Sequence, residues 1–201
     1  MTVDQALAAA RQSQQSGQLG QAEVICRQIL AAVPNEPEAL HLLGIIAFQA
    51  GQADVSADLI SRAIAAKPDS AQFHFNLGIV FRNAGQLDAA AGSYRRATLL
   101  DPGYVSAWFN LGNTLQASGQ IQPAIDAYRA ALRVDPSHVD ACVNLGALLC
   151  ASGEPEDAIA ILEKVVKSNP DLAEAQSNLA RAKEFLHGRD TEENSSTSSK
   201  Q

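Results

Sequence analysis

The chain has 201 residues, of which 46% are hydrophobic and only 5% aromatic, so the core of a folded protein must come from aliphatic side chains and alanine. Lysine and arginine total 15 against 22 aspartates and glutamates, which gives a net charge of −7 and argues against a nucleic-acid partner. No stretch approaches the roughly 20 apolar residues of a membrane span, no signal peptide is recognisable, and the 3 cysteines are too few for a disulfide framework. We therefore expect a cytoplasmic protein that binds neither nucleic acid nor membrane.

Two residue types recur along the chain at a spacing of 34 residues. The glycines are Gly17, Gly51, Gly85, Gly119 and Gly153, and the prolines are Pro34, Pro68, Pro102, Pro136 and Pro170. A fixed period of this length is typical of a stacked array of repeats. In chain order we expect repeats at 3–36, 37–70, 71–104, 105–138 and 139–172, then a further first helix at 173–187.

Each repeat has the pattern of an antiparallel helical hairpin. In 105–138, one helical face of the first half carries Trp108, Leu111 and Leu115, and a second apolar series follows Gly119. Pro136 then takes the chain out of the helix. Small residues are expected to let the two helices approach closely, in the pairs Gly44 with Ser56, Gly78 with Ala90, Gly112 with Ala124, and Gly146 with Ala158.

The motif W-x-x-L-G, then A-x-x-x-[FY], then P resembles the tetratricopeptide (TPR) repeat. Its residues in one repeat are Trp108, Leu111, Gly112, Ala124, Tyr128 and Pro136. The resemblance implies an all-α TPR α-solenoid, a right-handed superhelix of about eleven helices whose first helices line the concave surface. It covers residues 1–188, with atypical polar residues in the first repeat and in the last helix that suggest capping. Residues 189–201 contain no large apolar residue and are expected to form a disordered tail.

Asparagine recurs on the face of the first helices that is expected to face the groove. We number each repeat from its first residue, so that position 6 is asparagine in four successive repeats. An amide both donates and accepts hydrogen bonds, so such a row suits the backbone of an extended peptide. The candidate peptide-binding residues are Asn76, Asn110, Asn113, Asn144 and Asn178. The alternative is that these residues are repeat heritage, because N-L-G is common in TPR repeats.

Three other features of this face bear on the ligand. Positions 2 and 6 contain no lysine or arginine, which argues against the clamp that chaperone-binding TPR domains use for a C-terminal carboxylate. Position 2 is often acidic, which favours a basic partner or simply reflects helix N-termini. Phe75 and Phe109 at position 5 are expected to pack against the next repeat rather than form pockets.

Nothing in the sequence indicates an enzyme, a metal site or a cofactor. The four histidines have no spacing typical of a metal pair, and no phosphate-binding glycine motif occurs. We expect a non-enzymatic module that binds an extended peptide of a protein partner. Two alternatives stay open: the substrate-recruiting arm of an O-GlcNAc-transferase-like (SPINDLY-like) glycosyltransferase, whose arrays these repeats resemble, and a self-associating scaffold.

Overall fold

The computed structural model describes residues 1–198 and the side-chain surroundings of residues 1–188. Within that range every regular element is a helix, which confirms the all-α class. The chain forms two compact units. The first, Met1–Ser118, contains α1 (Val3–Gln15), α2 (Leu19–Ala32), α3 (Pro37–Gln49), α4 (Ala53–Ala66), α5 (Ala71–Asn83), α6 (Leu87–Leu100) and α7 (Val105–Ala117). The second, Gly119–Gln201, contains α8 (Ile121–Val134), α9 (Val139–Ala151), α10 (Pro155–Ser168) and α11 (Ala173–Ser198).

The helix boundaries follow the 34-residue period of the sequence. The odd-numbered helices, called first helices below, begin at the residues where the sequence places the start of each repeat. The second helices α2, α4, α6, α8 and α10 each end two residues before one of the periodic prolines. This agrees with local chemistry, because the residue that precedes proline is driven out of the helical region of backbone conformations.

The periodic glycine closes the first helix of every hairpin. In repeat 2, Gly51 N donates to Phe48 O and Gln52 N donates to Ala47 O, both at 2.9 Å, which are the two bonds of a Schellman turn. This turn needs a residue in the left-handed region, and Gly51 has φ 78°. The corresponding glycines have φ between 73° and 83° in all five repeats, which explains why this position keeps the period.

A second glycine, at position 8 of the first helix, makes room for a large side chain of the second helix. A Cβ built on Gly44 would lie 2.6 Å from Ile60, one on Gly78 would lie 2.6 Å from Tyr94, and one on Gly146 would lie 2.6 Å from Leu162. The sequence predicted that this glycine faces a small residue and brings two backbones together. The nearest contact in these repeats is the side chain one turn later, because side chains lean back toward the helix N-terminus. In repeat 2 the added Cβ would also lie 3.3 Å from Ser56 O, so the predicted backbone approach is present there.

The cores are built mainly from aliphatic residues and alanine, as the composition predicts. In the first unit, the cluster around α1–α5 includes Cys26, Leu40, Leu43, Ile46 and Phe73. In the second unit, Cys142, Val143 and Val165 pack with Ala175 of α11. The three cysteines are buried and unpaired, and burial raises the pKa of Cys26 to about 11, so this thiol is protonated.

One buried polar atom in the first unit has no hydrogen-bond partner among the described residues. It is Ser56 Oγ, at a fully buried position that is alanine in the neighbouring repeats. Ser56→Ala removes the desolvated hydroxyl and adds a better helix former, so we expect the free energy of unfolding to rise by about 1 kcal/mol. Ser93→Ala is the control, because the Ser93 hydroxyl donates to Ala89 O at 2.9 Å. Urea unfolding of both variants tests the difference, and a stabilisation of equal size would contradict the explanation.

The last helix extends beyond the end that the sequence predicts. The sequence predicts a helix at 173–187, and the helical backbone continues through Gly188 to Ser198. A single glycine disfavours a helix by only about 1 kcal/mol, and no proline follows it. The disordered tail expected over 189–201 stays a prediction, and residues 199–201 lie outside the described residues.

Candidate functional site

A pocket opens on the first helices of the first unit, where the sequence places the binding face. It has a volume of about 240 Å³ and lies between α3 and α5, with Ile60 of α4 at its base. The other lining residues are Ile45, Phe48, Gln49, Asn76, Ile79 and Val80. The lining is apolar except for Gln49 and Asn76, which is the composition expected of a pocket that takes one apolar side chain and orients it with few polar groups.

Asn76 is held in place by a histidine from the preceding repeat. Its Nδ2 lies 2.8 Å from His41 Nε2, and the His41 ring lies on Phe73 with 4.3 Å between ring centroids. His41 is only 2% exposed, and this burial lowers the pKa of His41 to about 4. The imidazole is therefore neutral at physiological pH, so Nε2 accepts a hydrogen bond from the Asn76 amide. The pairing fixes the amide that the sequence predicted to face a ligand.

Asn110, the next position-6 asparagine, uses both ends of its amide within the first unit. Its Nδ2 donates to Ser106 O at 2.8 Å, and its Oδ1 accepts a hydrogen bond from Arg82 Nη1 at 3.2 Å. Arg82 is at position 12 of the preceding repeat, outside positions 2 and 6. A cation therefore does lie on this face, although positions 2 and 6 contain none. Asn113 is half-buried one turn further along α7.

In the second unit, Asn144 and Asn178 also make contacts within the chain. Asn144 Nδ2 donates to the hydroxyl of the buried Tyr128 at 3.4 Å, and Asn178 Oδ1 accepts from Arg181 at 3.2 Å. All four position-6 asparagines are half-buried rather than fully solvent-facing. Their side chains are consequently oriented by neighbours, which reduces the conformational entropy that a ligand would have to remove.

The acidic position-2 residue of the second repeat is neutralised within the chain. Glu38 contacts Arg11 at 2.6 Å and Lys67 at 3.1 Å. Partial burial opposes ionisation of this carboxyl, but the hydrogen bonds from Lys67 and Arg11 outweigh it and hold the pKa of Glu38 below its ordinary value. Glu38 is thus part of an ion-pair network between repeats, in which Arg11 and Lys67 compensate its charge.

The aromatic position-5 residue of the third repeat contacts two aromatic rings of its own repeat, and the expected packing against the next repeat stays a prediction. The Phe75 ring lies 4.7 Å from that of Tyr104, in the turn before α7, and 5.7 Å from that of Tyr94 on α6.

Among the described residues, no group of three or more His, Cys, Asp or Glu side chains is placed to hold a metal ion. No described helix combines the length and apolarity that crossing a bilayer requires.

Comparison with known protein families shows to which family the chain belongs. Residues 3–71, 41–105 and 75–118 match one sequence model described as tetratricopeptide repeat, and residues 115–183 match another of the same description. The chain belongs to the TPR family. Together the matched segments include nearly all of the residues at which the sequence predicts repeats. No curated protein sequence is similar enough to this TPR chain to count as a match.

Solved structures show the same TPR fold. YrrB, described as a TPR protein with an unusual peptide-binding site, is 22% identical, with a TM-score of 0.74 over 86% of this chain and 89% of YrrB. MamA is 21% identical, with a TM-score of 0.74 over 85% of this chain and 93% of MamA. An O-GlcNAc transferase of Thermobaculum terrenum is 31% identical, with a TM-score of 0.61 over 65% of this chain and 26% of the transferase. These structures show the α-solenoid fold, and membership of the TPR family makes the chain a protein-interaction module.

Proposed function

We propose that this TPR chain binds an extended segment of a partner protein along its first helices and has no catalytic role of its own. The observation that carries the proposal is the pocket beside Asn76. It combines an apolar lining with an amide whose orientation is fixed by the buried, neutral His41. One apolar side chain of the partner would enter the pocket, and the position-6 amides would hydrogen-bond its backbone.

The five candidate asparagines have different roles in this proposal. Asn76 lines the pocket and is assigned direct contact with the partner. Asn110 would bind a ligand together with Arg82, which its carbonyl oxygen already contacts. Asn113, Asn144 and Asn178 are assigned supporting contacts on their own helices. YrrB, whose description includes a peptide-binding site, gives a precedent for this class of ligand on the same fold.

The most direct test blocks the pocket rather than the amides. Asn76→Ala would also leave His41 without its donor, so a loss of binding would be confounded with a loss of stability. Ile79→Arg instead places a charged side chain at the half-buried lining of the pocket. Removing one buried apolar anchor of the partner is worth about 1.5–3 kcal/mol, so we expect affinity to fall by about tenfold to a hundredfold.

The measurement uses peptides selected from a random library against the folded chain, with affinities determined by calorimetry. Leu99→Arg is the matched control, because Leu99 is 72% exposed on the second helix α6 of the same unit. It should leave affinity unchanged. Equal losses in both variants, or none in Ile79→Arg at unchanged melting temperature, would refute the assignment of the pocket.

A second candidate function is favoured by the transferase match. The region shared with the O-GlcNAc transferase is 31% identical, which is higher than for YrrB or MamA, but this chain spans only 26% of that enzyme. In this case the repeats would recruit protein substrates for a glycosyltransferase. The gene sequence discriminates the two functions: a glycosyltransferase reading frame fused to or directly following codon 201 supports the recruiting arm, and a stop codon without such a neighbour supports a stand-alone adaptor.

A further inference from the structure

The second unit contains a larger cavity that none of the position-6 asparagines lines. It has a volume of about 620 Å³ and lies between α8, α9 and α10. Its apolar walls are Leu132, Val139, Cys142, Leu145, Ile161 and Val165. Ligand pockets in proteins typically measure about 300–1,000 Å³, so the volume is sufficient for a large side chain together with its flanking backbone.

The cavity lies at position 4 of the first helix of the fifth repeat. In three other first helices the side chain at position 4 reaches back over the preceding turn and contacts the carbonyl oxygen of the periodic proline. These contacts are His74 Nε2 to Pro68 at 3.1 Å, Trp108 Nε1 to Pro102 at 3.0 Å and Gln176 Nε2 to Pro170 at 2.5 Å. In the fifth repeat the corresponding residues are Cys142 and Pro136, and both line the cavity. The cysteine side chain ends one bond beyond Cβ, so it is too short to fill the same space.

The rim of the cavity is basic, in a chain whose net charge is −7. Arg129, Arg133 and Lys164 line it, and no aspartate or glutamate does. Arg129 pairs with Glu154 at 3.4 Å and Asp157 at 3.5 Å. Arg133 and Lys164 are exposed and form no ion pair among the described residues. Their charges are thus available to an anionic ligand.

The floor of the cavity is neutral. Burial raises the pKa of the Cys142 thiol, with Asp135 acting in the same direction and Lys164 against it, so the thiol remains protonated near neutral pH. Asp135, the acid next to this turn, accepts hydrogen bonds from the Ser137 amide at 3.0 Å and the Ser137 hydroxyl at 2.6 Å. An apolar floor beneath a basic rim favours a ligand that is apolar at its tip and acidic at its flanks.

We propose that this cavity binds an aromatic side chain of a partner protein that is flanked by acidic residues. The aromatic ring would take the space that the Trp108 indole occupies above Pro102 in the preceding repeat, and an indole N–H would donate to the Pro136 carbonyl oxygen. The flanking carboxylates would pair with Arg133 and Lys164. This site is independent of the pocket beside Asn76, which lies in the other unit, so either assignment can fail without the other.

The test fills the cavity from within. Cys142→Trp supplies the indole from the chain itself, as Trp108 does one repeat earlier, and should keep or raise the melting temperature. The probe is the fluorescein-labelled peptide GDEWDG, followed by fluorescence anisotropy. We expect Cys142→Trp to weaken its binding at least tenfold, and Cys142→Ala, which leaves the cavity open, to retain it. The peptides GDEADG and GKKWKG should bind at least tenfold more weakly than GDEWDG to the wild type.

The rim is tested by charge reversal. Arg133→Glu combined with Lys164→Glu should weaken GDEWDG binding at least tenfold and reduce its dependence on salt concentration, whereas Lys167→Glu on the same helix α10 should not. Unchanged binding by a folded Cys142→Trp variant, or equal binding of GDEADG, overturns the proposal. Self-association that both Cys142→Trp and Phe185→Ala abolish also overturns the proposal. The occupant of the cavity would then be a second copy of the chain, through its Phe185 ring, which is 47% exposed on α11.

Discussion

Replacement of Gly78 by alanine is expected to lower the free energy of unfolding by about 1–3 kcal/mol, and the same replacement at Gly92 is expected to raise it by about 1 kcal/mol. A Cβ on Gly78 would lie 2.6 Å from Tyr94 Cε1 and 2.7 Å from Cδ1. Tyr94 is 1% exposed and its ring also packs on Phe75, so it has no free space into which to move. Gly92 lies exposed within α6, and nothing is within 4 Å of the Cβ that would be added there.

The two variants make a matched pair, because both add one methyl group to a helical glycine in the same unit. Urea unfolding gives the two free energies, and thermal unfolding should show shifts of about 2–4 °C per kcal/mol in opposite directions. Gly146→Ala should behave like Gly78→Ala, since its Cβ would lie 2.6–2.9 Å from the Leu162 side chain. Destabilisation of similar size at Gly78 and Gly92 would show that the position-8 glycine is not a packing requirement.

The helix boundaries were predictable from the sequence because they depend on local chemistry. The left-handed glycine at each hairpin turn and the proline after each second helix act within a few residues of themselves, so the period reveals them directly. The partner of the position-8 glycine was less predictable. The contact of Gly78 with Tyr94 rather than Ala90 depends on the direction in which side chains lean along packed helices, which the spacing alone does not give.

The sequence gives the helical face on which the candidate residues lie but not their contacts. The sequence identifies Asn76 and Asn110 because they share one helical face. Their partners, His41 and Arg82, lie 35 and 28 residues away, and only the stacking of repeats brings them together. The role of His41 as the acceptor that fixes Asn76 required coordinates, because the two residues belong to different repeats.

The cavity of the second unit did have a signal in the sequence. In the first helices from α3 to α11, position 4 reads Leu40, His74, Trp108, Cys142 and Gln176. The only residue without a long side chain in this series is Cys142. The lengths of the side chains at equivalent positions of the repeats reveal this gap, whereas the recurrence of one residue type, such as asparagine, does not.

The stability of the first unit is expected to fall as the pH is lowered from about 6.5 to 4, because of His41. Burial is the main cause of the lowered pKa of His41, from 6.5 to about 4, while Glu38 raises it and Arg11 lowers it. The unfolded state therefore binds more protons than the folded state between these two pH values. The stabilisation is fully present above pH 6.5 and is lost as the pH falls toward 4. A shift of this size corresponds to about 3 kcal/mol.

His41→Gln separates this contribution from that of other groups that titrate in the same range, including His74, whose pKa burial also lowers. Glutamine does not titrate, and its carbonyl oxygen can accept the hydrogen bond from Asn76 in place of Nε2. The free energy of unfolding is measured in urea at half-unit pH steps from 4 to 8. Between pH 6.5 and 4 it should therefore fall by about 3 kcal/mol less for the variant than for the wild type. NMR titration of the His41 ring should give a midpoint near 4. Parallel pH profiles for wild type and variant, or a midpoint near 6.5, would mean that the His41–Asn76 pair is open to water, and the pocket would lose the fixed amide on which the proposed function rests.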